Sequence, residues 1–161
     1  MKHHYDYIEL KVPAKPEFVG VVRLTLSGIA SRMGYSYEEI EDLKIATSEA
    51  CTNAVHHAYD EKVTGDIIVG FGVYETKLEI IVSDNGKSFD VNEMKEGMGP
   101  YNQSTSVEDL TEGGLGLYLI ETLMDDVKFK SDNGISVLMT KQLQRERVGS
   151  DEGTIATNQL E

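Results

Sequence analysis

The run "SYEEIEDLKIATSEACTNAVHHAYD", residues 36–60, admits little other than a long helix with one tightly packed side. Ser36 and Glu39 form a capping box, Tyr35 and Ile40 are spaced for a hydrophobic staple, and Gly34 ends whatever helix precedes them. Ile40, Leu43, Ala46, Ala50, Ala54 and Ala58 then recur at three or four, a stripe whose small side chains let the helix approach its support closely. Within the same run Glu49 and Asn53 stand four residues apart and leave the helix from successive turns in the same direction. Buried without partners, an amide costs about 1–3 kcal/mol and a carboxylate more, so the pattern calls for something polar opposite them. A solvated helix edge would answer that demand equally well, were it not for two further polar segments downstream.

The remaining elements follow from periodicity. "YIELKVPA" alternates and stops at proline, which predicts a short strand, and Pro16 suits the entry to a first helix. Phe18, Val22, Leu26, Ile29 and Met33 form that helix's apolar stripe, which Gly34 closes. "DIIVGFGVY" and "KLEIIVSDNG", parted by Glu75 and Thr76, predict a hairpin with Ile67, Val69, Phe71 and Val73 facing Leu78, Ile80 and Val82. Residues 87–112 lose periodicity and predict a mobile lid, since long loops inside small domains are usually functional. "LGLYLIETLMDD" predicts a third helix, and "VKFKSDNGISVLMTKQL" a closing hairpin turned at Asn133-Gly134. Helices interleaved with antiparallel hairpins imply an α+β two-layer sandwich: a mixed, mainly antiparallel sheet with helices on one face. Residues 1–145 are expected to make one domain, with 146–161 a polar, flexible tail.

Charge and cysteine usage narrow the function classes. A net charge of −13 over 161 residues repels phosphate backbones and anionic lipid, so direct nucleic-acid or membrane binding is not expected. Cys51 is the single cysteine and has no disulfide partner in the chain; the N-terminus "MKHHYDYIEL" lacks a secretion signal's apolar segment, and no run is long enough to span a bilayer. The expectation is a soluble cytoplasmic protein.

The two polar segments are "SDNGKSFD" and "EGGLGLYLIETL". In the first, Asp84 follows a strand directly and can accept a hydrogen bond from an exocyclic amine such as adenine's, while Gly86 lets a ring approach the backbone. Taken alone, Asn85-Gly86 is equally an ordinary turn. In the second, Gly113, Gly114 and Gly116 lead into a helix whose uncrowded N–H groups suit a phosphate, helped by the positive end of the dipole. It is neither a Walker loop, lacking Gly-Lys-Ser/Thr, nor a dinucleotide fingerprint, having Leu119 where a small residue is required.

In that order, "EACTN", "DNG" and "GGLGL" resemble the N box, adenine box and phosphate box of the GHKL or Bergerat ATP-binding family, with the lid between the last two. "SEACTNAV", "GGLGLYLIETLMD" and "YIELKVPAKPE" are similar, more narrowly, to the bacterial anti-sigma factor serine kinases, over residues 5 to about 143. The resemblance implies ATP and Mg²⁺ as cofactors, Asn53 as the magnesium ligand and Glu49 as the general base. It also implies nucleotide contacts from Asp84, Gly86, Gly113, Gly114, Leu115 and Gly116. It further implies a homodimer that sequesters a sigma factor of the sigma-B type through a surface including Arg23, and that phosphorylates an anti-anti-sigma factor on serine. An ATP-binding anti-sigma module without phosphoryl transfer, or a histidine-kinase-like catalytic domain, is the alternative. The chain departs from the wider family in having Lys87-Ser88-Phe89 after Gly86, Ser136 for a threonine, and no lid arginine, Lys87 and Lys95 being the basic residues of 87–112.

His56 and His57 lack the H-E-x-x-H order and the further ligands a zinc site needs, which makes them pocket-rim or packing residues. Cys51 faces away from Glu49 and Asn53 and is expected in the core.

Overall fold

The computed structural model describes residues 5–60, 65–84, 99–100, 115–130 and 135–144. Strand β1 (Asp6–Pro13) leads through a single 3-10 turn (Pro16–Phe18) into α1 (Val19–Met33) and α2 (Tyr37–Asp60). There follow β2 (Asp66–Val73), β3 (Lys77–Ser83), β4 (Gly99–Pro100), helix α3 (Leu115–Leu123), β5 (Asp126–Lys130) and β6 (Ser136–Gln142). The six strands form one sheet in the order β1-β2-β3-β6-β5-β4. Every pairing among the described residues is antiparallel, so the expected mixed sheet is realised as its antiparallel part.

Local chemistry sets the helix boundaries. Gly34, at φ 101°, takes the left-handed conformation that a side chain resists, and its N–H reaches the carbonyls of Ala30 and Ser31 to close α1. Two residues on, the Ser36 hydroxyl accepts the Glu39 N–H at 3.1 Å while the Glu39 carboxylate accepts the Ser36 N–H at 2.8 Å. That reciprocal pair satisfies two amides that the first turn of α2 would otherwise leave without partners. At the other end of the layer Lys141 Nζ donates to the carbonyl of Leu123 at 2.8 Å, fastening the end of α3 to β6.

The core lies between the sheet and the helices. Val22 and Leu26 of α1, Leu43, Ala46, Ala50 and Ala54 of α2, and Ile120 of α3 pack over one sheet face. The sheet contributes Ile67, Val69, Phe71, Leu78, Ile80, Val82, Val137 and Met139. Register confirms the expected hairpin face, with Val69 opposite Val82 and Phe71 opposite Ile80. Tyr35 is buried as well, but its hydroxyl donates to the carbonyl of Lys141 at 2.6 Å, so the residue preceding the capping box anchors the helix layer to the last strand.

Three details differ from expectation. The stretch 87–112, read as a loop throughout, holds the two-residue strand β4, which pairs Gly99 with Phe129 and Pro100 with Lys128. An edge position tolerates Pro100, which has no N–H to offer a further neighbour. The rest of the expected lid, the turn at Asn133-Gly134 and the tail 146–161 lie outside the described residues. Helix α3 stops at Leu123 rather than running to Asp126, because Asp126 already begins β5 opposite Thr140. Finally, Ile68, Ile81 and Leu138 are buried on the face without helices, where alternation predicts solvent. There Ile81 sits between Gly70 and Leu138 in adjacent strands, and Tyr7 lies so close over Gly70 that a Cβ would stand 2.2 Å from its hydroxyl.

Leu43→Ala removes a fully buried side chain from the seam between α2 and the sheet. It is expected to lower the unfolding free energy by about 2–5 kcal/mol, and Ser36→Ala by about 1 kcal/mol, both measured by urea denaturation.

Candidate nucleotide and phosphoryl-transfer site

Close packing of α2 on the sheet determines where its polar row stands. Ala46, Ala50 and Ala54 face the core, which turns Glu49 and Asn53 toward a neighbouring side of the helix. Asn53 is 8% exposed and Glu49 half-buried. Beyond Glu49 an open cleft of about 330 Å³ runs between α1 and α2, lined by Arg23, Glu41, Lys44, Ile45, Ser48 and Glu49. Arg23 is exposed on its rim and its Nη1 donates to the Ser48 hydroxyl at 3.4 Å.

Asp84 lies at the end of β3, next to the first residues of β6. Its backbone N–H donates to the carbonyl of Ile135 at 3.2 Å, and its Oδ1 accepts the Ile135 N–H at 2.8 Å. The other carboxylate oxygen, Oδ2, meets Nδ1 of His57 from α2. Beside this, Ser136 and Ser83 face each other across the strands with hydroxyls 3.1 Å apart. Ser136, where the wider family has threonine, thus keeps a buried hydroxyl paired with Ser83.

The structure therefore joins α2 to Asp84 through His57, which stands one turn beyond Asn53 and two beyond Glu49 on the helix. Of the expected phosphate segment, Leu115 and Gly116 form the opening turn of α3, where backbone N–H groups have no intrahelical partner. Gly86, Gly113 and Gly114 lie outside the described residues. Arg23 belongs to the cleft on the Glu49 side, where it meets Ser48. The contact that sequence reasoning missed is His57 to Asp84. The spacing does put His57 on the helix side of Glu49 and Asn53, four residues further on, but it does not name Asp84 as the partner.

The donor set fits a magnesium nucleotide. Among the described residues no group of three or more His, Cys, Asp and Glu side chains could hold a metal on its own. A hard ion carried in by phosphates needs only one or two protein oxygens, and the Asn53 amide can supply one. Cys51 points into the core and burial pushes its thiol up to about 12.

The chain matches the histidine kinase-like ATPase domain family over residues 12–141, and it belongs to that family. Its relatives in sequence are more specific. It is 62% identical to a serine-protein kinase RsbW of Bacillus licheniformis, over 98% of both chains. It is 60% identical to the serine-protein kinase RsbW of Bacillus subtilis, over 94% of both, and 56% identical to that of Oceanobacillus iheyensis, over 97% of this chain and 99% of the relative. In three dimensions it resembles the crystal structure of the RsbU and RsbW domains of a Mycobacterium tuberculosis protein, with a TM-score of 0.60 at 20% identity, over 86% of this chain and 32% of that one. That likeness supports the fold. No described helix is long and apolar enough to cross a membrane.

Burial also raises the Tyr35 hydroxyl well above its ordinary value. Groups whose acidity is weakened by folding stabilise the native state below their unfolded pKa, and that stabilisation is lost as pH rises above it. The unfolding free energy from urea denaturation is therefore expected to hold up to about pH 9 and to fall above it, by on the order of 2 kcal/mol from the thiol at pH 10.5. Cys51→Ala should make the decline shallower, and an equally steep decline in that variant would remove the thiol's share.

Proposed function

We propose that this chain is an ATP-dependent protein serine kinase that also sequesters a sigma factor of the sigma-B type. It phosphorylates an anti-anti-sigma factor on serine, acting as a homodimer in the cytoplasm. The observation that carries this reading is the row of Glu49, Asn53 and His57 along α2, the last of them joined to a carboxylate that Ile135 also holds. Close relatives named as serine-protein kinases along their whole length favour serine over histidine as the acceptor, and transfer over mere nucleotide binding.

Each residue's part follows from its surroundings. Asp84, its carboxylate fixed by Ile135, accepts the exocyclic amine of adenine, and Gly86 gives the ring room. Gly113, Gly114, Leu115 and Gly116 offer backbone N–H groups to the phosphates at the start of α3. The buried amide of Asn53 supplies an oxygen for Mg²⁺. When bound, MgATP supplies the transferable phosphoryl group with its charge partly neutralised, so positioning and electrostatics carry most of the catalysis. Glu49, half-buried at the mouth of an open cleft, is reachable by a protein hydroxyl and holds the proton that a serine releases. Arg23, exposed on the same rim, is the partner-binding cation. Its guanidinium presents several donors in a fixed plane to carboxylates or carbonyls.

Incubation with γ-labelled ATP and the anti-anti-sigma factor should yield phosphoserine. Glu49→Gln should slow the transfer by about 10²-fold or more while calorimetry still detects MgATP binding. Transfer at the wild-type rate by that variant would remove Glu49 as the base. Arg23→Ala should weaken capture of the sigma factor with ATP affinity unchanged, measured by calorimetry with each ligand.

A further inference from the structure

His57 continues the polar row of α2. It stands four residues beyond Asn53 and eight beyond Glu49, so the three side chains leave one side of the helix on consecutive turns, about 12 Å from first to last. His56, its neighbour in sequence, is exposed. The His57 side chain is 28% exposed and reaches Asp84, whose side chain is 3% exposed. A carboxylate only accepts, so the proton lies on Nδ1 of the imidazole. Asp84 is therefore held from two sides: Oδ1 by the N–H of Ile135 at the start of β6, Oδ2 by His57 of α2.

This double tether has a consequence for recognition. The terminal torsion of an aspartate is broad, and one hydrogen bond leaves the carboxylate plane free to turn. Two bonds from different elements define that plane. Of about four lone-pair positions, two are then occupied and the remaining two point in fixed directions. An amine donor on a bound purine meets an acceptor already aimed, without the cost of ordering it on binding.

We propose that His57 is a positioning residue that orients the Asp84 carboxylate and thereby contributes to selection of a purine bearing a 6-amino group. The proposal rests on the reading of Asp84 as the acceptor for that amine. A site built to bond a polar group rejects the analogue lacking it, so the effect of His57 lies in discrimination rather than in general affinity.

The test compares ATP with purine riboside triphosphate, which lacks the 6-amino group, by calorimetry on the intact protein with Mg²⁺. In the wild type, ATP should bind more tightly. His57→Ala should cut the ratio of the two affinities about tenfold through loss of ATP binding, leaving the analogue's affinity within about twofold. His57→Asn, whose amide N–H takes the place of Nδ1, should recover much of the ratio, and His57→Gln, which reaches the place of Nε2, should not. Asp84→Ala should bring the ratio near one, and adding His57→Ala to it should change the ratio no further. Nitrogen NMR of the nucleotide-free protein should find the His57 proton on Nδ1, with that preference lost in Asp84→Ala.

Equal loss of both affinities in His57→Ala, or an unchanged ratio, would overturn the positioning role while a collapsed ratio in Asp84→Ala kept the amine reading intact. An unchanged ratio in Asp84→Ala would overturn the amine reading itself, and the role of His57 with it. Should His57→Ala fail to fold, the contrast between the Asn and Gln variants decides the matter alone.

Discussion

Everything polar in this site depends on how closely α2 lies against the sheet. Leu43 and Val55 supply the large side chains of the seam, and Ala46, Ala50, Cys51 and Ala54 the small ones. Larger residues at the alanine positions would raise the helix axis and carry Glu49, Asn53 and His57 away from the ends of β3 and β6. The same seam explains why Asp84 can be reached from the helix at all. Its strand ends beneath the last turns of α2, and a single imidazole bridges the gap. Hydrophobic burial here does more than stabilise, since it sets the separation across which the polar groups act.

Much of this was legible in the chain. The capping box at Ser36 and Glu39, the glycine stop at Gly34 and the hairpin registers appear as their local chemistry predicts. Such features are governed by residues near one another in sequence. The pairing of β4 with β5 was not legible, because two residues carry no period and their partner lies some thirty positions away. Nor was the burial of Ile68, Ile81 and Leu138, which depends on neighbours across the sheet rather than on alternation along one strand. At the site, the spacing of Glu49 and Asn53 announced a shared helix side, whereas the contact between His57 and Asp84 joins residues 27 apart and required the packing itself.

The two ends of the polar row have different surroundings, and this separation suits the proposed chemistry. Glu49 opens onto a cleft lined by mixed charges and by Ile45, a surface on which another protein's chain can rest. The Asp84 side chain is almost wholly enclosed and tied to Ile135 and to His57 of α2. A group that must meet an incoming hydroxyl is accessible, while a group that must recognise one fixed base is shielded from competing water. In that proposal α2 runs from an accessible carboxylate at Glu49 to His57, which reaches the enclosed one at Asp84.

The enclosure of Cys51 has a practical side. Its thiol is buried beneath α2 and almost entirely neutral at physiological pH, so alkylating dyes and mild oxidants find no ready nucleophile in the folded molecule. A fluorophore or spin label attached to a cysteine introduced elsewhere would report from that position alone. The native residue could stay in place, and the helix seam it helps to fill would be left undisturbed.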